Sequence, residues 1–343
     1  IVSNIDKPIF YELDDRIEYS ILNIGKYKQS NFFKTLITFY IFFRSRQNQI
    51  FIFNKGTYIP FIYFLRKFGF KNKNNKLVYF VHGGSSNFKF KYSNFVNKLI
   101  FNAFDNIIVL HDDYDTNKGI HFLIQNNAFK RKIQNFIFGF DFKKVSNKIV
   151  YINNPVSFIS DKKVNGDEKV ILAVGRLDSV KGYNYLIKAW KFIEKKNPLW
   201  KLKIIGSGYE KSNLTKLIKK LNITDRIEMI PETKHIIDYY LNSSIYVNSS
   251  LEEGMPMVII EAMEAGLPIV AFPNVGAKYL VKNNKNGILC SNFDSKLLSE
   301  NIQELINNKN KRKIFGLTSA KYAKNFHVKN LAYKWNSIIG TNF

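Results

Sequence analysis

The chain has 343 residues, 45% of them apolar and 23% charged, and its 52 Lys or Arg outweigh 27 Asp or Glu to give a net charge of +25. This mixture excludes a disordered chain, and the length suits two domains of ordinary size. The single cysteine, Cys290, excludes an internal disulfide and suits a reducing cytosol. No run reaches the roughly 20 apolar residues of a membrane-spanning helix; the nearest, 32–43, is broken by Lys34 and followed by Arg44 and Arg46.

In chain order, helix-like patterning over 31–45 precedes a short apolar strand at 50–53. Positive charge is diffuse along the chain, but 51–100 stands apart with nine basic residues and no acidic one. Within it, 59–76 interleaves aromatics with Lys and Arg, as would suit an anionic membrane surface or the phosphates of a nucleic acid. A solvated basic face beside a core would read the same. Because the charge is diffuse and no recognised binding motif accompanies it, no nucleic-acid partner is expected.

A strand at 77–81 ends in His82, followed by Gly83 and Gly84. A histidine at a strand's carboxyl end beside glycines suits a cleft, although a hydrogen-bonded structural histidine would look alike. A helix over 94–104 and a strand at 107–110 follow. Asp113-Tyr114-Asp115 mimics an acidic metal site, but its position favours a helix cap, so no metal is expected there. A strand at 149–152 ends in the turn residues Asn153-Asn154-Pro155, and the polar stretch 162–169 reads as a hinge between domains.

A second alternating series begins with a buried-type strand at 170–174. Helices are expected over 183–195, 209–221, 236–242, 257–265 and 297–307, interleaved with strands at 202–205, 227–230, 245–247 and 269–272. Repeated strand–helix units imply parallel sheets covered on both faces. Two such blocks imply an α/β protein of two doubly wound domains, with ligand at the carboxyl ends of the strands.

Three loops of the second series carry candidate chemistry. After the 170–174 strand, Gly175 and Gly182 bound a loop in which Arg176 offers a planar fork and Lys181 a mobile point charge. Together they can grip a diphosphate and stabilise it as it leaves, although an ordinary surface turn would look similar. Gly206-Ser207-Gly208 opens the next helix and lacks the third glycine of a dinucleotide fingerprint, Lys211 standing in its place. It suits close backbone approach to a nucleotide.

The third loop holds Glu253 and Glu261, eight residues apart. Gly254 is expected to allow a sharp turn and Pro256 to take the first helical position, so that the N–H groups after it form an anion site. Were the stretch wholly helical, the two glutamates would be about 12 Å apart. That is the span from hexose to ribose in a nucleotide sugar. Glu261 sits among apolar residues and must face water or find a partner. Glu264 on the same face leaves open a solvated acidic stripe; ribose hydroxyls would satisfy Glu261 equally. No His/Cys cluster has zinc spacing, and neither a P-loop lysine motif nor a nucleophile elbow is present.

Taken together, VGRLDSVKGYNYLIKAW, IIGSGYE, SSLEEGMPMVIIEAMEAGLPIVA and NNKNGILC resemble the group 1 (family 4) glycosyltransferases, retaining enzymes of the GT-B fold. VYFVHGG and YINNPV look like the family's acceptor-domain histidine strand and inter-domain junction. The resemblance implies an acceptor-side domain over 1–155, completed by a C-terminal helix at about 322–343, and a donor-binding domain over 156–321. Family members normally open with a strand and a glycine-rich loop. Here an opening strand–loop–helix of roughly 30 residues looks missing, so the first domain is expected to be truncated.

By the same resemblance, Arg176 and Lys181 hold the donor diphosphate with Gly175, Gly206 and Gly208 close by, and Glu261 holds the ribose. Glu253 and the backbone of Gly254, Met255 and Met257 contact hexose and phosphate, and His82 lies near the reacting centre. No metal and no cofactor are implied, the nucleotide sugar being a substrate. The expected protein is a metal-independent cytoplasmic enzyme, peripheral on the inner membrane face. It moves a hexose or N-acetylhexosamine from a nucleotide-diphosphate sugar, UDP- first, to a glycan or lipid-linked acceptor of bacterial surface polysaccharide. The alternatives are a GT-B nucleotide-sugar epimerase and an inactive nucleotide-sugar or nucleic-acid binding module. Pro231, where many relatives carry glycine, leaves the donor base open.

Overall fold

The computed structural model describes residues 2–3, 20–21, 50–53, 62–63, 76–81, 104–109 and 148–339. The chain divides into two compact units, one of residues 1–80, 91–107 and 143–148, the other of 81–90, 108–142 and 149–343.

In the first unit, β1 (Val2–Ser3) and β2 (Ser20–Ile21) pair in parallel. β3 (Ile50–Phe53), β4 (Lys76–Val81) and β5 (Asn106–Val109), the last two running at their carboxyl ends past the bounds of this unit, are successive neighbours in one sheet. β3 and β4 run parallel, with Ile50 opposite Lys76 and Phe53 opposite Tyr79. Asp105 locks the next step. Its carboxylate accepts the Leu77 N–H at 2.8 Å, and its own N–H donates to the Leu77 carbonyl at 2.8 Å. Leu77 and Val78 are both buried though adjacent, as are Ile107 and Ile108, the mark of strands covered on both faces. The helices expected over 31–45 and 94–104 and the basic stretch 59–76 lie, apart from a few positions, outside the described residues.

The second unit opens with β6 (Ile149–Tyr151) and a connector without regular structure over 152–169. It then builds a six-stranded sheet from β7 (Val170–Val174), β8 (Lys201–Ile205), β9 (Ile227–Ile230), β10 (Ile245–Asn248), β11 (Ile269–Ala271) and β12 (Gly287–Leu289). Every pairing is parallel and the order is β12-β11-β10-β7-β8-β9. The chain steps outward from β7 to β9, then returns to lay β10 against the other side of β7, with Ile245 opposite Ile171. The direction of winding therefore reverses between β7 and β10, the position at which doubly wound sheets commonly take a ligand.

Among the described residues, the helices of this unit are α1 (Tyr183–Ile193), α2 (Lys211–Lys220), α3 (Ile236–Leu241), α4 (Met257–Glu264), α5 (Val275–Leu280), α6 (Ser295–Asn307), α7 (Lys309–Ala323) and α8 (Val328–Ile339). In α1, Tyr183, Leu186, Ile187, Trp190 and Ile193 recur at helical spacing and are buried, an amphipathic stripe that faces the sheet. α1 packs on α6 over the core of Ile171, Leu202, Ile204, Val247 and Phe272. α4 packs on α7, where a Cβ on Gly316 would stand 2.3 Å from the Gly266 carbonyl; only glycine permits that approach. Among the described residues, no helix is long and apolar enough to cross a membrane.

The expected alternation is present, and three elements join it that the sequence reading lacked: α5, β12 and α7. α7 hides because its buried face is Arg312, Phe315, Gly316, Ser319 and Ala323, which is no apolar stripe.

Candidate active site

The loop leaving β7 is shaped by its glycines. Gly175 has φ +152°, and a Cβ there would stand 2.9 Å from the Tyr183 hydroxyl. Gly182 has φ +62° and closes a single 3-10 turn over Ser179–Lys181, where a Cβ would meet the Ser249 carbonyl at 2.2 Å. Asp178 caps that turn, its side chain accepting the Lys181 N–H at 3.3 Å. So constrained, Lys181 turns toward the loop that leaves β10 and forms an ion pair with Glu253. Ser250 Oγ donates to the same Glu253 oxygen at 3.0 Å. Both side chains are largely shielded, Lys181 17% and Glu253 15% exposed. Arg176 stands apart: its side chain is 83% exposed and touches Asp178 at 3.1 Å. It is a cation at the rim, able to swing onto an incoming anion.

Gly206 and Gly208 serve the backbone. A Cβ on Gly206 would lie 1.9 Å from the Gly175 carbonyl, and one on Gly208 2.3 Å from the Leu177 carbonyl. The Leu177 N–H donates to the Ser207 carbonyl at 2.9 Å, and the Glu210 N–H returns to the Leu177 carbonyl at 3.0 Å. The second glycine turn thus braces the 175–177 loop from behind.

Around Glu253 the local expectations need correcting. Gly254 lies in a bend, as expected, but it is buried and takes no positive φ. Its place is instead made tight by Gly276, where a Cβ would lie 2.7 Å from the Gly254 carbonyl. Pro256 is the residue before the helix, with extended backbone at φ −71° and ψ 107°, rather than its first residue. Its carbonyl takes the Ile259 N–H at 3.1 Å. Glu253 therefore lies off α4, and the 12 Å separation of a continuous helix does not apply. Met255 is buried and its sulfur accepts the Asn154 N–H at 3.2 Å, while Met257 opens α4 half-buried.

Glu261, one turn into α4, finds partners on both oxygens. Tyr240 Oη donates to Oε2 at 2.8 Å and Ser157 Oγ to Oε1 at 2.7 Å. Glu264 does not continue a solvated stripe. It is 2% exposed and accepts from Lys163 Nζ at 2.8 Å, pairs with His327 Nε2 at 2.8 Å, and takes the Ser160 N–H at 3.3 Å. Burial pushes its carboxyl up, but the hydrogen bonds from Lys163, His327 and Ser160 outweigh it and hold the group below its ordinary value.

Three buried tyrosines, absent from the sequence reading, lie near Glu253 and Glu261. Burial pushes the Tyr183 phenol well above its usual value, and the charges of Glu253 and Asp178 add to the shift. Tyr240 is raised by burial and then by Glu261. Tyr246 is raised by burial, with Tyr183, Glu261 and Glu253 all contributing. Tyr240 and Tyr246 lie with ring centroids 5.9 Å apart, and the Tyr246 hydroxyl reaches the Val174 carbonyl at 3.4 Å. Tyr246 is thus raised by the charges of both Glu253 and Glu261, and all three phenols are held in their neutral form by burial. Nothing in the local sequence marks Tyr183, Tyr240, Tyr246 or Ser157 as more than core or turn residues. The expected site residue His82, and the Asp113–Asp115 stretch, lie outside the described residues.

Residues 157–322 match the model of the family described as glycosyl transferases group 1. An uncharacterized glycosyltransferase of Haemophilus influenzae is 39% identical over 196 residues, 57% of this chain and 56% of that protein. The amylovoran biosynthesis glycosyltransferase AmsD of Erwinia amylovora is 32% identical over 170 residues, 49% of this chain and 47% of that one. The chain thus spans about half the length of these curated relatives. Among solved structures, Anabaena Alr3699/HepE in complex with UDP and glucose superposes with a TM-score of 0.72 at 17% identity, covering 95% of this chain and 87% of that one. Its likeness is one of fold. With a parallel sheet reversed between β7 and β10, the chain has the GT-B fold, and the segment built on that sheet, residues 157–322, is similar to the group 1 glycosyl transferases.

Proposed function

We propose that this protein is a retaining glycosyltransferase of the family 4 type. It moves a hexose or N-acetylhexosamine from a nucleotide-diphosphate sugar, UDP- in the first instance, to a glycan or lipid-linked acceptor of bacterial surface polysaccharide. The observation that carries the reading is the Lys181–Glu253 pair, set at the point where the winding of the sheet reverses. An ammonium and a carboxylate held together there offer one charge to a diphosphate and the other to sugar hydroxyls. Arg176, exposed on the same loop, closes over the diphosphate from the rim. The names of AmsD, a polysaccharide glycosyltransferase, and of a GT-B neighbour holding UDP and glucose support the same direction.

In this reading the bond from the anomeric carbon to the diphosphate breaks and a bond to the acceptor oxygen forms on the same face. The acceptor proton passes to the departing phosphate. Lys181 and Arg176 stabilise the charge that develops on that phosphate. Glu253 positions the hexose, and Glu261 holds the ribose. None of these steps requires a metal. His82 belongs near the reacting centre. The basic stretch 51–100 supplies an inner-membrane contact on the cytoplasmic side that brings the enzyme to a lipid-linked acceptor.

The test is a screen of nucleotide sugars by thermal stabilisation, followed by mass and anomeric analysis of products formed with lipid extracts. A single stabilising nucleotide sugar and a product of unchanged anomeric configuration are expected. An inverted product would overturn the retaining chemistry. Conversion of the donor without acceptor would identify an epimerase instead.

A further inference from the structure

The connector runs alongside α4 in the same direction, and four contacts fix the register. The Asn154 N–H meets Met255, Ser157 Oγ meets Glu261, the Ser160 N–H meets Glu264, and the Val164 N–H meets the Ala265 carbonyl at 3.0 Å. Serines three apart on the connector thus engage glutamates three apart on the helix. Ser157 is flanked by anchors on both sides. The Val156 N–H donates to the Phe326 carbonyl at 2.9 Å, and the Phe158 ring lies 6.0 Å from that of Tyr240.

Tyr240 is equally fixed. Its side chain is fully buried and its one hydroxyl proton has two acceptors in reach, Glu261 Oε2 at 2.8 Å and the Val258 carbonyl at 3.4 Å. The shorter contact to a carboxylate is the stronger. Each carboxylate oxygen can accept about two hydrogen bonds. With one donor from the protein on each oxygen, Glu261 keeps one acceptor position on each, side by side. A pair of vicinal hydroxyls is the ligand that fills both.

We propose that Ser157 and Tyr240 are positioning residues that orient Glu261 to read the two ribose hydroxyls of the donor nucleotide. The proposal rests on the donor reading above and adds to it a clasp built from the connector and α3. Without either hydroxyl, Glu261 can rotate about its side-chain bonds, and its two free positions no longer match a diol. The damage falls on ribose recognition and leaves the diphosphate contacts of Lys181 and Arg176 in place.

The experiment is calorimetric. UDP, ADP and GDP are titrated into the intact protein, and whichever binds is compared with its 2′-deoxy and 3′-deoxy analogues. This is done for wild type, Ser157→Ala, Ser157→Thr, Tyr240→Phe and, as a control, Ser160→Ala, which keeps the backbone N–H on Glu264. Wild type should prefer the ribonucleotide by about tenfold, the worth of one good hydrogen bond. The preference should fall to about threefold or less in Ser157→Ala and Tyr240→Phe. It should return in Ser157→Thr and be unchanged in Ser160→Ala. Equal loss of affinity for ribo- and deoxynucleotides in both variants would mean a merely structural role and overturn the proposal, as would a wild type indifferent to the ribose. If none of the three nucleotides binds the wild type, the donor reading falls and takes this inference with it.

Discussion

Lys181 and Glu253, 72 residues apart in the chain, meet as an ion pair between the loops that leave β7 and β10. Two strands that are neighbours only because the sheet reverses there bring opposite charges together in a place shielded from bulk water. In such a place charge counts for more than on an open surface. Lys181→Met leaves Glu253, among the described residues, with Ser250 as its side-chain partner and removes the cation assigned to the departing diphosphate. The turnover rate should fall by roughly 10² to 10³, the scale of losing one aligned stabiliser of developing charge. Nucleotide affinity should drop far less. Steady-state kinetics with the donor found by screening checks this, and a loss confined to KM would contradict it.

Gly206→Ala should be among the most damaging single changes in the unit, since the new Cβ would stand 1.9 Å from the Gly175 carbonyl and φ is +153°. Backbone cannot yield as a flexible side chain can, so a loss of about 3 kcal/mol or more is expected. Gly166→Ala is the matched comparison. Gly166 has φ +78° but nothing within 4 Å of a Cβ, so only the conformational cost of about 1 kcal/mol applies. Urea unfolding of the two variants should separate them clearly; equal stabilities would mean that the two glycine turns do not pack as described.

Much of this frame is legible in the sequence. The run Val170–Val174 matches its strand to the residue, because a doubly covered parallel strand must be apolar throughout; Ile227–Ile230 matches too, although as an edge strand it carries the half-exposed Glu228. Lys181 and Glu253 are legible as polar residues on loops that leave strands, but that they pair directly depends on the order of the sheet. What could not be read is whatever depends on a distant partner. Glu264 looks like a solvated acid until Lys163 and His327 arrive from 101 and 63 residues away. Tyr240 looks like core until its hydroxyl is seen on Glu261. α7 shows no periodic signal in the sequence, because a buried arginine and a glycine replace the apolar stripe that patterning seeks.

Glu264 predicts a pH dependence. Its carboxyl is held below the ordinary value of 4.5 in the folded protein, so the unfolded chain takes up its proton first as pH falls. Its contribution is therefore fully present above about pH 4.5 and is lost as pH drops through the folded value. Glu264→Gln should destabilise the protein at pH 7 by about 3 kcal/mol, the scale of breaking a buried ion pair. It should also flatten the fall in stability below pH 5. Urea midpoints at pH 7, 5 and 4 would show it. Parallel losses in wild type and variant across that range would mean that another carboxylate carries the acid sensitivity.

Arg312 offers the sharpest test of how the connector is held. Its Nη1 donates to the Leu305 and Ile306 carbonyls at 2.7 and 2.9 Å, and its Nε and Nη2 to the Gly166 carbonyl at 3.3 and 3.0 Å. One guanidinium thus closes the last turn of α6, where carbonyls lack helical partners, and ties down the connector. It also stacks on Trp200, with its central carbon 5.3 Å from the ring centroid. Burial lowers its pKa, so the site tolerates charge only because the acceptors are there. A lysine carries the charge but has neither the fork nor the plane, and it can serve either the α6 end, at Leu305 and Ile306, or Gly166, but not both. Arg312→Lys should therefore lose about 2 kcal/mol through the unmade hydrogen bonds, and Arg312→Met should lose more despite its good packing. Nucleotide affinity should hold in both, because Arg312 meets the connector at Gly166, beyond the Ser157 and Ser160 contacts. A lysine variant as stable as wild type would show that charge alone, rather than planar geometry, fills the site.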